Sequence, residues 1–477
     1  MATAYDPARL TTHPAQLTQA LALQRRSFDA DPNPPRAIRR DRLDRLRRLL
    51  RDNAEAIRDA IGADFGQRAS EETLLLEQFT SHEAVQHARR HLRRWMRTER
   101  RSVVWWSLPG RARLMRQPLG AIGIIVPWNY PLYLAVSPLA AVLAAGNRAM
   151  LKMSEHTPRF GALFETLVAR SFSADEVVAV NGDIAVAKSF AALPFDHLLF
   201  TGSTQVGRDV MKAASANLTP VTLELGGKSP AIVAAGFDFN ETARRLMYGK
   251  LMNAGQTCVA PDYALVPKSL VGQFIDACRA ATLSFYPTLA TNPQYTSIIN
   301  ERQFLRLTLL VEDARARGAT VHPLHAEPTD VERRRFSPVA LSGVGDGMRV
   351  MQEEIFGPLL PVVPYGSIDE AIAFVNARPR PLALYYFGAE DAALDAVLAR
   401  TISGGVTVNN TAFHVVQEDL PFGGVGPSGM GHYHGRAGFD SFSKLKPVFY
   451  DGRFSGSRLL MPPYGRRFRA LLRILYR

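Results

Sequence analysis

Cys258 lies in NAGQTCVAPDY, among small and polar residues rather than inside an apolar periodic run. Gly255, Gln256 and Thr257 before it predict a tight turn, where a thiol can be exposed and its thiolate stabilised. Such a thiolate would attack a carbonyl carbon. The other cysteine, Cys278 in QFIDACRAA, has helical surroundings and reads as a small buried hydrophobe. Glu224, in TLELGGKSP, stands between Leu223 and Leu225 and before a glycine pair. Read alone it is either an exposed strand-end carboxylate or a partly buried one, whose raised proton affinity suits a general base. Asn129, in VPWNYP, sits between prolines that fix its backbone; its amide could donate to an oxyanion or close an Asx turn. FTGSTQVGRDV places Thr201, Gly202 and Ser203 at the end of an apolar run and Gly207 at the start of a helical one. Backbone amides at such a turn bind pyrophosphate, although these glycines are five apart and ordinary helix caps use the same residue types.

Residues this far apart in the chain need a scaffold that brings them together. AIGIIVP (121–127), RAMLKM (148–153), EVVAVNG (176–182) and HLLFTGS (197–203) read as strands, separated by helix-length stretches at 131–146, 158–171 and 184–192. That alternation predicts a parallel, doubly wound sheet covered on both faces. A second series begins near Pro230, with SPAIV, YALVP, LPVVPY, ALYYFG and GGVTVNN as strands and helices at 271–281 and 368–376. From 14 to 101 the pattern is helical, with Leu43, Leu46, Leu50, Ile57 and Ile61 on one stripe and the proline-rich run at 31–35 as a breaker. No internal repeat or low-complexity segment interrupts the chain.

Composition bounds the function class. The chain has 477 residues, 47% hydrophobic and 21% charged, which predicts a soluble, enzyme-sized protein of two or three domains. The net charge of +13 comes mostly from arginine, dense at 36–101 and 453–477. In the first stretch arginine alternates with leucine and acidic residues at helical spacing, as on a solvated face. Without an aromatic-interleaved basic loop, zinc knuckle or recognition helix, no nucleic-acid partner is expected. Two cysteines exclude a disulfide scaffold and point to a reducing, cytoplasmic setting. MATAYDPARL lacks the apolar core of a signal peptide, and the apolar run at 131–146 falls short of the roughly 20 residues a membrane span needs. No metal site is expected.

PWNYP, KMSEHTP, FTGSTQVG, LELGGKSP, NAGQTC, EEIFGP and LPFGGVGPSGMG, in that order, resemble the aldehyde dehydrogenase superfamily across nearly the whole chain. NAGQTCVAPDY, DLPFGGVGPSGMGHYHG and the short N-terminal arm resemble its class 3 branch, which includes fatty, aromatic and coniferyl aldehyde dehydrogenases. YPTLATNPQYTSIINERQ and GMGHYHGRAGFDSFS are most similar to the coniferyl aldehyde group. The resemblance implies an α/β fold with three parts: a Rossmann-like cofactor domain (1–99 and 119–225), an α/β catalytic domain (226–425) and a small β oligomerisation region. That region would pair 100–118 with 438–454 in a homodimer. It implies an NAD-dependent, NADP-tolerant oxidation of an aromatic or medium- to long-chain aldehyde, coniferyl aldehyde favoured, through a cysteine thioester.

The implied roles follow position by position. Cys258 is the nucleophile, Glu224 the base for the hydrolytic water, and Asn129 an oxyanion donor. Lys152 and Glu155 bind the adenosine ribose; Thr201, Gly202, Ser203 and Gly207 form the pyrophosphate turn. Glu354 and Phe356 hold the nicotinamide ribose and ring, with Trp128 beside them, although its indole better suits the core. Asn409 steadies the active-site loop. Tyr133, Phe413 and His414 fall near the substrate mouth. The tail at 455–477 interleaves leucines with arginines. It fits a helix packed on a partner subunit, or a basic amphipathic helix in weak contact with the inner, anionic face of a membrane. A fatty aldehyde dehydrogenase at a membrane surface, or a binding protein that keeps the fold without catalysis, are the alternatives.

Overall fold

The computed structural model describes residues 14–236, 238–453, 457 and 460–476; the N-terminal stretch read above for a leader, and five positions of the tail, lie outside the described residues. The chain begins with a helical layer: Pro14–Ala30, Arg36–Asp52, Ala54–Phe65 and Thr80–Trp95. The proline run at 31–35 separates the first two, as its fixed backbone requires. Leu43, Leu46, Leu49, Leu50, Ile57, Ile61 and Phe65 form the buried stripe. The arginine face is less solvated than its pattern predicts. Arg39 is buried and donates from Nη1 to the carbonyls of Ala144 and Ala145, at 3.2 and 2.5 Å. These carbonyls end the wholly buried helix Tyr133–Ala145, where a cation complements the helix dipole. Arg42 and Arg45 reach Glu176 at 2.9 and 2.6 Å.

The first sheet runs Gly429–Met430, Val221–Leu225, His197–Gly202, Ala121–Ile125, Arg148–Lys152, Val177–Val180 in spatial order, parallel except at the Gly429–Met430 edge. The second runs Thr320–Pro323, Val339–Ser342, Leu359–Tyr365, Tyr263–Pro267, Pro230–Val233, Ala383–Phe387, Gly405–Val408, parallel except at the Thr320–Pro323 edge. Both architectures are α/β, as the alternation predicts. The edges Thr320–Pro323 and Gly429–Met430 and the inner strand Val339–Ser342 are additions to the strands read from the hydrophobic pattern. A third, antiparallel sheet joins Glu99–Arg101, Arg111–Pro118 and Ser443–Tyr450, with Arg111 opposite Tyr450 and Pro118 opposite Ser443. Among the described residues of the tail an α-helix spans Arg466–Leu475, where no residue is buried. Among the described residues no helix is long and apolar enough to cross a membrane.

Candidate active site

In the first sheet the chain winds outward from Ala121–Ile125 through Arg148–Lys152 to Val177–Val180, then returns to the other side of Ala121–Ile125 as His197–Gly202. Connections leaving these two neighbours diverge, which opens a crevice beyond their carboxyl ends, where α/β sheets bind ligands. The sequence puts Trp128 and Asn129 just after the first strand, Lys152 at the end of the second with Glu155 beyond it, and Gly202 at the end of the fourth with Ser203 beyond it. Ser203 caps Thr204–Ser215 through its Oγ, which accepts from Val206 N. Gly207 packs so closely on the next strand that an added Cβ would lie 2.5 Å from Leu225 Cδ2. The Thr201 hydroxyl is buried without a partner. Lys152 is buried, donates to the Met153 carbonyl at 2.7 Å and lies 3.6 Å from the half-exposed Glu155 carboxylate. This rim therefore carries free backbone amides at a helix start, an unsatisfied hydroxyl and a carboxylate, as a dinucleotide requires.

Cys258 follows the helix Phe239–Leu251 through an unusual loop. Asn253, Ala254 and Gly255 are all left-handed, with φ of 52, 52 and 77°. For the non-glycine pair this costs about 1–2 kcal/mol each, and the surrounding hydrogen bonds hold it. Asn253 N donates to Glu72 at 3.0 Å, and Asn253 Nδ2 donates to the carbonyls of Asn129 and Gln256 at 3.2 and 3.1 Å. Gly255 approaches Gly357 closely, since a Cβ there would lie 2.4 Å from the Gly357 carbonyl oxygen. The loop bearing Cys258 is thus pressed against the loop bearing Glu354 and Phe356. The Asn129 side chain points to the same place, with Nδ2 3.3 Å from the Gln256 carbonyl.

The thiol departs from expectation. Cys258 is half-buried, and burial with the nearby Glu354 and Glu224 carboxylates pushes its thiol up to about 12. The turn exposes the sulfur in part, and the Cys258 and Val259 backbone amides favour its anion, but burial and the two carboxylates outweigh them. Glu224 is also more enclosed than its pattern suggests. It lies on the strand next to the Gly429–Met430 edge, between Thr201 and Gly429, with both carboxylate oxygens buried and unpartnered, and burial drives its carboxyl far above the usual range. Gly226 brings Glu354 close, since a Cβ there would meet Glu354 Oε2 at 1.9 Å. Burial and Asp262 raise the Glu354 carboxyl to about 8. Its loop is held by Arg306, which donates to the Glu354 carbonyl at 3.1 Å, and by Asp262, which accepts from Ile355 N at 2.9 Å. Phe356 is itself left-handed, φ 51°, and meets Trp128 edge-on at 5.4 Å. Trp128 packs on the core at this rim rather than deep within it.

On the other side of Cys258 stands an aromatic wall. Tyr133 is buried, with its hydroxyl 3.2 Å from His434 Nε2. His414 bonds Thr407 at 2.7 Å through Nδ1, leaves Nε2 buried and unpartnered, and is lowered by burial to about 4, hence neutral. Phe413 is exposed, on the outer side of the same loop. Tyr130 shares a 2.6 Å hydrogen bond with Thr257, next to the cysteine, and Tyr385 donates to the Val259 carbonyl on its other flank. The negative charge of a Cys258 thiolate is felt by Tyr130, Tyr133, Tyr385 and Tyr433. Tyr130, beside Tyr133 after the PWN turn, belongs with the aromatics that the sequence offers for a substrate tunnel, whereas Tyr385, Tyr433 and His434 had no part in the site read from sequence. His434 and Tyr433 stood in the quoted HYHG motif, whereas Tyr385 lay in a strand pattern that its burial fully explains. Asn409, φ 57°, bonds Gly388 N and O at 2.9 Å each, a structural clasp. Among the described residues no group of three or more His, Cys, Asp or Glu side chains could hold a metal ion.

Comparison with known proteins agrees with this architecture. The aldehyde dehydrogenase family model matches residues 10–448. A probable coniferyl aldehyde dehydrogenase from Pseudomonas aeruginosa is 51% identical over 97% of this chain and 96% of its own length. The coniferyl aldehyde dehydrogenase of a Pseudomonas strain is 47% identical over 92% of each chain. In structure, a substrate-bound Staphylococcus aureus AldH superposes with a TM-score of 0.91 at 35% identity, covering 96% of this chain and 99% of that one. A Mycobacterium tuberculosis aldehyde dehydrogenase complexed with NAD+ gives 0.82 at 28% identity, covering 92% and 90%. With a strand-end crevice, a loop cysteine and a buried glutamate inside a match of that extent, the chain belongs to the aldehyde dehydrogenase family and is an oxidoreductase.

Proposed function

We propose that this enzyme oxidises an aryl aldehyde of the coniferyl type to its carboxylic acid, with NAD as oxidant, through a thioester on Cys258. The observation that carries the reading is the meeting of Cys258, Glu224 and the Asn129 amide at one strand-end crevice, walled by tyrosines. The relatives named for coniferyl aldehyde favour the aryl substrate, and the tyrosine and histidine wall suits it.

The residues present fit a dinucleotide. Thr201, Gly202, Ser203 and Gly207 would hold the pyrophosphate on the Thr204–Ser215 helix start. Lys152 and Glu155 would hold the adenosine ribose, and a carboxylate there accepts from free hydroxyls and repels a 2′-phosphate, favouring NAD over NADP. Trp128, Glu354 and Phe356 would flank the nicotinamide end. The cofactor, when bound, supplies the acceptor for the hydride that leaves the aldehyde carbon. The chain supplies the rest. Cys258 Sγ, once deprotonated, bonds the carbonyl carbon, and the resulting alkoxide takes hydrogen bonds from Asn129 Nδ2 and the Cys258 backbone amide. One such donor is worth about 3–4 kcal/mol. After oxidation the carbon is a thioester. Glu224 takes a proton from water, the hydroxide adds to the acyl carbon, and the carbon–sulfur bond breaks to release the acid and the thiolate.

In the same reading the three-stranded sheet, with exposed Val104, Trp105, Trp106 and Leu108 beside it, joins two copies in a homodimer. The test is reduced-cofactor formation with NAD or NADP on coniferyl aldehyde, benzaldehyde, hexanal and a long-chain aldehyde, on protein whose sedimentation mass is twice the chain mass. Coniferyl aldehyde with NAD is expected to give the highest kcat/KM. A preference for the long-chain aldehyde would move the enzyme to the fatty branch, and no turnover with bound cofactor would refute the catalytic reading.

A further inference from the structure

Between Phe65 and the helix Thr80–Trp95 the chain forms one short turn of helix, Ser70–Thr73, and a π-helical segment, Leu74–Phe79. π-Helical turns are rare and frequently mark functional sites. Here the segment faces Glu77 into the protein, where it is wholly buried together with Arg68. Glu77 Oε1 accepts from Arg68 Nη1 at 2.7 Å, and Oε2 accepts from the backbone N–H groups of Leu132 and Tyr133 at 2.7 and 3.2 Å. The same Arg68 nitrogen donates to the Asn129 carbonyl at 3.0 Å. Its guanidinium lies over two rings, 4.9 Å from the centroids of Phe65 and Tyr130. Tyr130 in turn bonds Thr257, the neighbour of Cys258. Both ends of the 129–133 loop are therefore fixed by one buried ion pair that no solvent reaches.

A buried ion pair is poor value as a stabiliser, because desolvation offsets most of its attraction. Arg68 even leaves Nε and Nη2 without hydrogen-bond partners. A pair of apolar residues would fill this space at less cost, but could not hold the Asn129 carbonyl and two backbone amides in place. Glu72, one turn earlier, does the corresponding work on the cysteine loop. It accepts from Asn253 N at 3.0 Å and from Thr296 Oγ1 at 2.9 Å, where the backbone is left-handed and strained.

We infer that Arg68 and Glu77 are positioning residues for the aldehyde oxidation: the pair sets the Asn129 amide against the Cys258 loop, with Glu72 steadying the other side. The inference rests on the proposed roles of Asn129 and Cys258. Neither Arg68 nor Glu77 touches the reacting atoms. Their effect passes through the placement of one donor, and a displacement of an ångström in a catalytic group costs up to about 10²-fold in rate.

The test compares Glu77→Gln, Arg68→Lys, Arg68→Met and the double variant Arg68→Met/Glu77→Gln with Asn129→Ala and Cys258→Ala, all as the full chain. Rates are counted per Cys258 thiol titrated, and per folded chain for Cys258→Ala, so that misfolded protein does not enter. Glu77→Gln and Arg68→Met are each expected to lower kcat about tenfold or more, with dinucleotide Kd and aldehyde KM changed less than twofold, because the lost interaction acts on the transition state. Arg68→Lys should recover part of that loss. The double variant should be no slower than the worse single one, since removing both charges leaves neither buried alone. If Glu77→Gln is insoluble, Arg68→Lys carries the test: its ammonium cannot bond Glu77 and the Asn129 carbonyl in the same geometry, so kcat should still fall. Wild-type kcat per thiol in these variants, with Asn129→Ala slow and Cys258→Ala inactive, would overturn the inference alone. Full activity in Cys258→Ala or Asn129→Ala would overturn the reading beneath it.

Discussion

At the scale of single residues, the site stores charge it does not show. Cys258, Glu224 and Glu354 are all held toward their neutral forms, chiefly by burial, and each carboxylate makes the thiol harder to ionise. Ionising any of them disfavours the next, so the protein at rest is a poor nucleophile and a poor base. Rate should therefore climb as pH rises. Stability should move the other way. The Glu354 carboxyl is raised from 4.5 to about 8 in the fold, so its contribution to stability is complete below 4.5 and is lost as pH rises toward 8. Glu354→Gln removes that loss. It should melt a few degrees above the native enzyme near pH 8 and together with it near pH 5, in thermal unfolding followed at both. A variant that melts earlier at both would mean that the carboxylate sits in the fold charged and satisfied.

At the scale of elements, the site is a property of strand ends. Asn129, Lys152 and Ser203 come together because three parallel neighbours finish at one edge, and Glu224 because the next strand finishes beside them. Gly207 lets the helix behind this edge lie against Leu225. Gly207→Ala would push that helix start away from the sheet and weaken dinucleotide binding about tenfold, or ~1.4 kcal/mol. Calorimetric titration with the dinucleotide checks this, and an unchanged Kd would show that the helix start is not part of the site. Most strands of both sheets were legible because buried parallel strands are short apolar runs between helical periods; Val339–Ser342, only four residues long, was not among them. What stayed hidden has a physical cause in each case. Gly429–Met430 is two residues long, and Thr320–Pro323 is a largely exposed edge ending in proline, so neither carries a hydrophobic signature. Leu74–Phe79 reads as ordinary helix, because six residues cannot separate a π-helical period from an α-helical one. Glu77 looks like a surface residue of that helix, since nothing in its spacing announces the arginine it meets.

At the scale of the whole molecule, one contiguous core runs from Leu43 in the helical layer through the first sheet and on to Leu360, Tyr385 and Phe439. That continuity blurs any boundary near residue 225, and it is why a partition drawn from sequence motifs is harder to place than the motifs themselves. It also explains how Glu72 and Glu77, near the start of the chain, reach loops more than 50 residues away on one side and more than 170 on the other. In the proposed reaction these contacts converge on a thioester at Cys258, released by Glu224. The most direct measurement is the mass of Glu224→Gln protein, acid-quenched within one turnover of NAD and an aryl aldehyde, with the labelled peptide sequenced. One acyl group per chain is expected on the peptide containing Cys258, formed with one equivalent of reduced cofactor. Reduced cofactor without that adduct, or an acyl group on Cys278, would contradict it.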